Sequence, residues 1–537
     1  MRPIRAVWVL LWMIVFHANH TMASEKYWVS FTDKKNVSFD PQSYFDPRAI
    51  TQRQAAGIPV FDSTDAPVSE IYIQRILCFT DSLSWASRWL NGIAVYSDES
   101  RIQCISSEPF VRSVEPMTSK TISCTTEPGV RSTVKTQRVI SLLHYQTDRS
   151  QAEIFRKKNL DGKGIRIAVL DAGFPDVNTS TAFTHIRARN GFIATYDFVG
   201  KKENVYHGHW HGEATLSCIA GIYDSIPIGM ATGAEFCLAL TERNAVEVFS
   251  EEENWLAAAE WADRLGVNII SSSLGYTEKR YFNTDMDGRK SLVAQAAAMA
   301  ARKGILIVNA AGNEGGESWR FVDTPGDADS ILTVGGTDPG SDSHIYFSSY
   351  GPTHDGRLKP NVCAPGETAV MFANKLTIRY GTSFSAPLVA GFAACAWQAK
   401  RNSSCIELLH NIEKSGSLYP YFDYAHGYGI PQAGKVLNEW TEPEPTFNFV
   451  IVNNDIKVVL SERFSYSAEE ASLGYAAQRN LFYKIEDRQG KMRSYTVIIA
   501  QEKEALNFQA SDFAPGDVIT VHFEGYTRSL NINDISQ

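Results

Sequence analysis

The stretch GIRIAVLDAGF, residues 164–174, is an apolar run that ends in an aspartate and a glycine-containing turn. A run of this kind is typical of a strand that is buried on both faces, as in a parallel sheet. In an open α/β sheet, ligands bind at the carboxyl ends of the strands. The stretch therefore predicts a parallel sheet with Asp171 at its functional edge.

Strand-like and helix-like segments alternate downstream of this run. The first two helical segments each close with a glycine, which is a common helix stop. This alternation predicts an α/β fold, a parallel sheet with helices on both faces. The strand-like segments are VNIISSSLG (267–275), ILIVNAAGNEG (305–315) and SILTVGGT (330–337), and the helical ones are NWLAAAEWADRLG (254–266), SLVAQAAAMAARKG (291–304) and SFSAPLVAGFAACAWQAK (383–400).

The flanking regions differ from this α/β part. The N-terminus begins with MRPIR, continues with eleven apolar residues and offers small residues near Ala23, which is typical of a signal peptide for export. The C-terminal part alternates in hairpin-like fashion around turns, which predicts a small antiparallel β-sandwich. The predicted organisation is a signal peptide (1–23), a small α+β domain (24–111), an exposed linker (112–144), the α/β domain (145–440) and the β-sandwich (446–537).

Composition narrows the class of protein. The 537 residues are 44% hydrophobic and 21% charged, as in folded globular domains. A net charge of −9 argues against a nucleic-acid surface, which needs clustered lysine and arginine. Beyond the signal peptide, the apolar runs are shorter than a transmembrane helix requires, so we expect no membrane span after its removal. The signal peptide predicts a secreted, periplasmic or cell-surface location.

Eight cysteines are too few and too scattered for a disulfide scaffold, and CxxC pairs typical of zinc sites are absent from the sequence. Export permits disulfides. Cys104 with Cys124, or Cys395 with Cys405, are near enough in sequence to pair, and buried free thiols are the alternative.

Side chains suited to hydrolysis follow the predicted strands. Asp171 ends the first strand, Asn313 lies in a glycine-rich turn, and Ser383 stands where a loop enters the last helix. A serine at a helix N-terminus has the helix dipole behind it, which favours developing negative charge. A serine nucleophile needs a histidine base held by a buried carboxylate, and an asparagine amide can donate to the oxyanion.

The candidate bases lie in YHGHWHGEATLS, residues 206–217, which contains His207, His209 and His211. On a strand, alternate residues point to one face, so the three rings could converge on a metal ion. The His-x-His-x-Asp-His pattern of one zinc hydrolase class is not met, and HExxH does not occur in the sequence. Spacing alone leaves a metal cluster and a single catalytic histidine both open.

Five motifs together resemble the subtilisin-like serine proteases, that is, the subtilases of peptidase family S8, of the secreted bacterial type. The resemblance covers about residues 145 to 435, and the order Asp, His, Ser is the subtilisin order. The motifs are AVLDAGF (168–174), HGEATLSCIAG (211–221), SSSLG (271–275), AAGNEG (310–315) and GTSFSAPLVAG (381–391).

The resemblance implies a subtilisin-like fold and a serine endopeptidase, EC 3.4.21, that cleaves polypeptides through an acyl-enzyme. It implies that Asp171 orients His211, that His211 is the general base, that Ser383 is the nucleophile and that Asn313 donates to the oxyanion. The N-terminal domain takes the position of a propeptide that inhibits the enzyme intramolecularly, with processing in the linker. The residues implied to bind substrate are Ser273, Leu274, Gly275, Ala310, Ala311 and Gly312.

One departure is Glu213, where the family usually has threonine. A carboxylate there could raise the pKa of His211, compete for its proton, or point to solvent. A catalytically impaired, binding-only homologue is therefore one alternative function, and a metal-dependent hydrolase using His207, His209 and His211 is another. If His211 is the single base, we expect His207 and His209 to lie on an exposed turn and to bind no metal ion. We also expect that the enzyme requires no cofactor. The resemblance leaves calcium binding open.

Overall fold

The computed structural model describes residues 24–117, 136–242, 250–277, 280–441, 443–462, 479–500 and 502–535. The predicted signal peptide, Cys124 and the middle of the predicted linker lie outside the described residues. The described chain forms two compact units. The first contains 24–36, 68–86 and 91–117, and the second contains 37–67, 87–90 and the described residues from 136 onward.

The first unit is built on an antiparallel sheet with strand order β2-β3-β1-β4. Val29, Phe31, Ile93 and Val95 of its central strands are fully buried in one apolar core, which α3 and α4 help to cover. This matches the small α+β domain predicted from the sequence. The elements of residues 24–117 are β1 (Glu25–Phe31), α1 (Pro41–Tyr44), α2 (Pro47–Ala55), α3 (Glu70–Leu77), β2 (Ser82–Ser87), β3 (Gly92–Ser97), α4 (Glu99–Ser106) and β4 (Val111–Pro116).

Helices α1 and α2 belong to the second unit, although the sequence assigns them to the N-terminal domain. The reason is a buried charge cluster. The Arg53 guanidinium of α2 donates to Asp65 at 2.9 Å and to Asp263 at 2.8 Å, and all three side chains are at most 4% exposed. Buried charges require paired, hydrogen-bonded partners, and these partners lie in the second unit.

The second unit contains a parallel sheet with strand order β13-β12-β11-β10-β5-β9-β6. Besides α1 and α2, its elements up to the domain end are α5 (Thr136–Asp148), α6 (Ala152–Lys157), β5 (Arg166–Asp171), α7 (Thr184–Ala188), β6 (Phe192–Asp197), α8 (His211–Ala220), β7 (Ile222–Tyr223), β8 (Ile226–Pro227), β9 (Glu235–Leu240), α9 (Ser250–Arg264), β10 (Ile269–Ser272), α10 (Leu292–Arg302), β11 (Leu306–Ala310), β12 (Leu332–Thr337), β13 (Val362–Pro365), β14 (Glu367–Phe372), β15 (Lys375–Tyr380), α11 (Thr382–Ala399), α12 (Cys405–Lys414) and α13 (Ala433–Val436).

Helices cover both faces of this sheet. Helices α8 and α11 pack against each other, and Ile167, Val169, Leu306 and Val308 of the strands share their apolar core. Helices α9 and α10 pack against each other over the other face. The predicted α/β fold is thus confirmed. The strand order reverses between β5 and β10, and such a switch point opens a crevice at the carboxyl ends of the strands.

A hairpin of β14 and β15 leads directly into α11. Its turn places Ala373 and Asn374 at φ values of 50° and 56°. The hairpin ends at Gly381, whose φ of 143° favours glycine because a side chain would be strained there. The glycine therefore lets the chain turn sharply from β15 into the helix that carries Ser383.

The C-terminal part consists of two antiparallel sheets with orders β16-β17-β20 and β19-β18-β21-β22. Phe447, Ile456, Ile519, Val521 and Phe523 are fully buried in a core that both sheets share, which confirms the predicted antiparallel sandwich. The strands are β16 (Phe447–Val452), β17 (Asp455–Leu460), β18 (Asn480–Glu486), β19 (Met492–Ile499), β20 (Glu504–Gln509), β21 (Val518–Phe523) and β22 (Tyr526–Asn531).

One sequence-based expectation differs from the structure, and one pair of alternatives that the sequence left open is decided by it. The predicted linker includes most of β4 and much of α5, because α5 buries Val139, Leu142 and Leu143, spaced three and one residues apart, in the core. The Cys395–Cys405 disulfide is not formed, since the two thiols donate to different carbonyls, those of Met230 and Ala301, at 3.4 Å.

The described cysteines are all free thiols. Among the described residues, no helix has both the length and the apolar character that a bilayer span requires.

Candidate active site

Asp171 and His211 meet at the carboxyl edge of the sheet. Asp171 is the last residue of β5 and is fully buried, and His211 is the first residue of α8. The His211 Nδ1 lies 2.8 Å from Asp171 Oδ1. An Nδ1–H that donates to the carboxylate leaves Nε2 as the nitrogen that can accept a proton.

Two further donors fix the Asp171 carboxylate. The Thr215 hydroxyl donates to Oδ2 at 2.9 Å, and the Ala172 amide donates to Oδ1 at 2.7 Å. Thr215 follows His211 by four residues, so both side chains lie on one face of α8. The helical spacing was the available signal for Thr215, which the sequence analysis did not single out.

Ser383 is the second residue of α11 and lies beside the end of β10. Its hydroxyl donates to the Ser273 carbonyl at 3.4 Å, and the Ser273 hydroxyl donates to the Ser383 carbonyl at 2.7 Å. The ring of Phe384, the next residue, lies 5.5 Å from the His211 ring, measured between centroids. The structure thus brings Asp171, His211 and Ser383 to one edge of the sheet.

The Asn313 side chain is tied to the residue before Ser383. Its Oδ1 accepts hydrogen bonds from the Thr382 amide at 2.9 Å and from the Thr382 hydroxyl at 3.1 Å. With the oxygen held in this way, the Nδ2–H₂ group is the donor left for another acceptor. Sequence reasoning did not single out Thr382, although it precedes the candidate nucleophile.

The backbone around Asn313 is fixed by the carboxylate of Glu314, which is partly buried. Glu314 accepts from the Asn313 amide at 2.7 Å and from the Ser349 hydroxyl at 3.1 Å. Burial raises the pKa of Glu314 above its ordinary value, and the hydrogen bonds from Ser349 and from the Asn313 amide oppose that rise. This contact between distant segments carries no local sequence signal.

The two segments expected to bind substrate extend from neighbouring strands. Residues 273–275 continue β10, and residues 310–312 end β11, in a parallel register that pairs Ser272 with Asn309. The Asn309 side-chain amide joins them by donating to Leu274 O at 3.1 Å and to Ala310 O at 2.7 Å. The structure therefore places Ser273, Leu274, Gly275, Ala310, Ala311 and Gly312 together beside Asn313.

His207 and His209 do not converge with His211. His207 Nε2 lies 2.9 Å from Asn204 O and 3.3 Å from the Asp197 carboxylate. The ring of His209 lies 6.4 Å from that of His211, measured between centroids. In the ranges that the structure describes, no group of three or more His, Cys, Asp or Glu side chains is placed to hold a metal ion.

Trp210, between these histidines, packs against the hairpin. Its ring lies 5.0 Å from Phe372 and 4.7 Å from the Arg379 guanidinium, measured to ring centroids. The side chain is partly buried against the main core.

Glu213 does not point to solvent, contrary to one sequence-based expectation. It is fully buried, and its carboxylate accepts from the Ala373 amide at 3.2 Å, at the hairpin turn. Burial raises the pKa of Glu213 to about 7, and the Ala373 amide offsets only part of that rise. Residues two apart on a helix face away from each other, so Glu213 contacts the hairpin whereas His211 contacts Asp171.

Models of two protein families match this chain. The model of the subtilase family matches residues 162–429, and the model of the peptidase S8 propeptide domain of Bacteroidota matches residues 26–134. The serine protease AprX of Bacillus subtilis (strain 168) is 26% identical over 336 residues, covering 56% of this chain and 70% of AprX. Subtilisin BL of Lederbergia lenta is 26% identical over 279 residues, covering 50% of this chain and 89% of that protein.

Among solved structures, the crystal structure of MycP1 from the ESX-1 type VII secretion system is similar, with a TM-score of 0.46 and 21% identity. That similarity covers 61% of this chain and 93% of the MycP1 chain. The two family models together account for both the N-terminal domain and the parallel-sheet domain. The chain belongs to the subtilase family of serine endopeptidases.

Proposed function

We propose that this chain hydrolyses peptide bonds through an acyl-enzyme, with Ser383 as nucleophile, His211 as general base and Asp171 as its orienting carboxylate. The observation that carries this proposal is the 2.8 Å contact of His211 Nδ1 with the buried Asp171 carboxylate, at the sheet edge where α11 presents Ser383. The same three residue types recur as a hydrolytic triad on unrelated folds.

In the acylation step, His211 Nε2 takes the proton of the Ser383 hydroxyl while the Ser383 Oγ attacks the carbonyl carbon of the scissile peptide bond. Asp171 stabilises the imidazolium that forms, and His211 then gives the proton to the leaving amine. In the deacylation step, a water molecule gives its proton to His211 and attacks the acyl carbon, and Ser383 is released. The Thr215 hydroxyl supports Asp171 as a positioning group, because it donates to the second carboxylate oxygen.

The oxyanion of the tetrahedral intermediate would accept from the Asn313 Nδ2–H₂ group and from the Ser383 backbone amide. The support for this role is the pair of bonds from Thr382 to Asn313 Oδ1, which leave the amide nitrogen as the available donor. A donor held in place before the reaction stabilises developing charge without reorganisation.

The substrate would lie as an added strand beside Ser273, Leu274 and Gly275, with the side chain before the scissile bond facing Ala310, Ala311 and Gly312. The support is the position of both segments at the strand ends next to Ser383. Main-chain pairing of this kind supplies affinity, and side-chain pockets supply specificity.

The N-terminal domain, which belongs to a propeptide family, would inhibit the enzyme intramolecularly until it is cleaved within residues 112–144. Residues 1–23 would direct export to the periplasm, cell surface or medium, and be removed. We expect the chemistry to need no metal ion, and a chelator therefore to leave turnover unchanged.

The test is labelling of the mature protein with a fluorophosphonate, which reacts with activated serines. We expect labelling in the wild type and its loss in Ser383→Ala. Ser385→Ala is the matched control, because that hydroxyl lies two residues further along α11 and donates to the Pro365 carbonyl at 3.0 Å. This variant should label normally.

Labelling that persists in Ser383→Ala would contradict the proposal, and so would peptide hydrolysis that survives this substitution. N-terminal sequencing of the labelled protein addresses processing. An active enzyme that still begins near Ser24 would contradict the proposed role of the propeptide.

A further inference from the structure

The side chain of Asp323 lies between the two segments proposed to hold the substrate. A Cβ on Gly312 would stand 2.8 Å from Asp323 Oδ2, and a Cβ on Gly275 would meet the same oxygen at still closer range. Asp323 is only 4% exposed. A carboxylate therefore occupies the space between the ends of β10 and β11.

The backbone closes this space on the side of Asp323. The Asp323 amide donates to the Ala311 carbonyl at 3.3 Å, so the residue is tied to the end of β11. Thr324 exchanges hydrogen bonds with Tyr276, at 2.9 Å to the Thr324 carbonyl and 3.3 Å from its amide. Residues 323–324 thus bridge the two segments.

The opposite side of the same space carries the reaction chemistry. Asn313 directly follows Gly312, and Ser273 is bonded to Ser383 through its hydroxyl at 2.7 Å. Ser383 and Asn313 therefore lie beside the same two segments that residues 323–324 bridge, and we call the space between these segments the slot. In the proposed position of the substrate, the side chain before the scissile bond would face this slot.

Glycine stands on both walls at the level of the carboxylate. Because Gly275 and Gly312 present no Cβ, both walls leave room for the Asp323 carboxylate, with which a Cβ on either residue would collide. Gly312 also has a φ of 107°, a conformation that other residues rarely adopt. The Glu314 carboxylate also lies close to Gly312. It accepts hydrogen bonds from the Asn313 amide and the Ser349 hydroxyl, and it therefore holds the segment of residues 310–312 in place.

We propose that Asp323 is the base of the primary specificity pocket and selects peptide bonds that follow an arginine or a lysine. This inference rests on the proposed function, since it takes Ser383 as the nucleophile. A guanidinium or ammonium group that reaches a buried carboxylate forms charge-assisted hydrogen bonds, which are stronger than neutral ones. A neutral side chain of equal length gains no charge-assisted hydrogen bond and is therefore a poorer substrate.

The test compares peptides that differ only in the residue before the scissile bond. Citrulline is the neutral counterpart of arginine, and norleucine is that of lysine; alanine and phenylalanine complete the series. We expect wild-type kcat/KM for arginine and lysine to exceed that for citrulline and norleucine by at least about 10²-fold.

Asp323→Asn should lower kcat/KM for the arginine peptide by at least about 10²-fold and leave the citrulline peptide within a few-fold of wild type. Asp327→Asn is the matched control, because that buried carboxylate accepts from the Gly288 amide at 2.7 Å. This control should retain the preference for arginine.

Equal rates for arginine and citrulline in the wild type would overturn the inference. A preference for alanine would also overturn it, because it would mean that Asp323 fills the slot. If Asp323→Asn does not mature, the wild type is tested with two peptide aldehydes that end in arginine and in citrulline. Stronger inhibition by the arginine aldehyde supports the inference, and equal inhibition overturns it.

Fluorophosphonate labelling of the same samples separates the two proposals. A protein labelled at Ser383 that lacks selectivity for basic residues contradicts only the inference about Asp323. A mature protein without Ser383-dependent labelling contradicts the proposed function itself.

Discussion

Two histidines of the second compact unit are each held by a buried aspartate. His211 Nδ1 lies 2.8 Å from Asp171, and His426 Nδ1 lies 3.0 Å from Asp423. Both carboxylates are fully buried, and both accept additional hydrogen bonds from neighbouring groups. The two pairs therefore have the same composition and nearly the same geometry.

The pairs differ in what the other ring nitrogen contacts. His426 Nε2 accepts from the His344 amide at 2.8 Å, and the side chain is 3% exposed. The His211 side chain is 14% exposed and lies beside Phe384, next to Ser383. An aspartate–histidine pair can act as a base only where the second nitrogen faces a reactive proton, whereas the Asp423 pair holds a turn together.

The largest expected effect separates the roles of the two histidines. His211→Ala should lower turnover by about 10⁶-fold, because the nucleophile and its base act as a unit. His426→Ala should leave kcat within a few-fold of wild type and destabilise the fold by about 3 kcal/mol, because a buried carboxylate loses a partner. Steady-state kinetics and thermal unfolding measure the two effects.

A loss of turnover in His426→Ala at a temperature where the variant is folded would break this comparison. Ser383→Ala provides the reference for complete loss, and it should match His211→Ala in turnover while unfolding like the wild type.

The aspartates sharpen the same contrast. Asp171→Asn should lower kcat by about 10⁴-fold with little change in KM, because the amide favours the wrong tautomer of His211. Asp423→Asn should affect stability instead of kcat. Burial acts to raise the pKa of Asp423, but His426 and the backbone amides outweigh it and hold that pKa below its ordinary value.

A carboxyl group with a lowered folded-state pKa stabilises the fold above its ordinary pKa, and this contribution is lost as the pH falls through the folded value. Thermal unfolding should therefore show the gap between wild type and Asp423→Asn narrowing below about pH 4. A gap that stays constant down to pH 2 would contradict the lowered pKa.

The sequence predicts the frame of the site better than its supports. The runs at β5, β10, β11 and β12 and the glycine-terminated helices are local patterns, and they place Asp171, Asn313 and Ser383 at strand or helix ends. Strand β9, between β5 and β6, is an equally apolar run, but its place in the sheet depends on pairing that composition does not specify.

The supporting contacts join residues that are far apart in sequence. Ser349 reaches Glu314 across 35 residues, and Ala373 reaches Glu213 across 160. The position of Asp323 depends on three segments that meet only after folding. For this reason, the sequence alone left a damaging role for Glu213 open and named the substrate-binding segments without singling out Asp323.

A smaller effect concerns Asn313, the proposed oxyanion donor, which has no counterpart in the argument for the Asp423–His426 pair. Asn313→Ala should lower kcat by about 10²–10³-fold with little change in KM, because the donor acts on charge that develops only in the transition state. Thr382→Val removes the hydroxyl that holds Asn313 Oδ1 but keeps the amide donor, so it should lower kcat less.

Wild-type turnover in Asn313→Ala would contradict the oxyanion role. A parallel rise in KM would indicate that the amide binds the ground state as well, which the proposed arrangement does not predict.

The smallest effect concerns the helix that carries His211. Burial raises the pKa of Glu213 to about 7, against an ordinary value of 4.5 in the unfolded chain. Between these values the unfolded state loses a proton that the folded state keeps, so stability falls as the pH rises through this window. Glu213→Gln carries no such proton, and its unfolding temperature should gain on that of the wild type by a few degrees, about 2–4 °C.

This gain should develop between pH 4.5 and 7 and stay constant above, measured in a Ser383→Ala background that prevents self-digestion. Glu407 is a control of opposite sign, because the Ser404 amide and hydroxyl lower its pKa. The difference in unfolding temperature between Glu407→Gln and the wild type should therefore become smaller as the pH falls below 4.5.

In the active background, Glu213→Gln should keep kcat within about two-fold of wild type, since the carboxylate faces the hairpin and not the His211 ring. A large change in kcat would show that Glu213 acts on His211 through the helix. The different surroundings of the second ring nitrogen would then no longer be sufficient to explain why the two aspartate–histidine pairs differ.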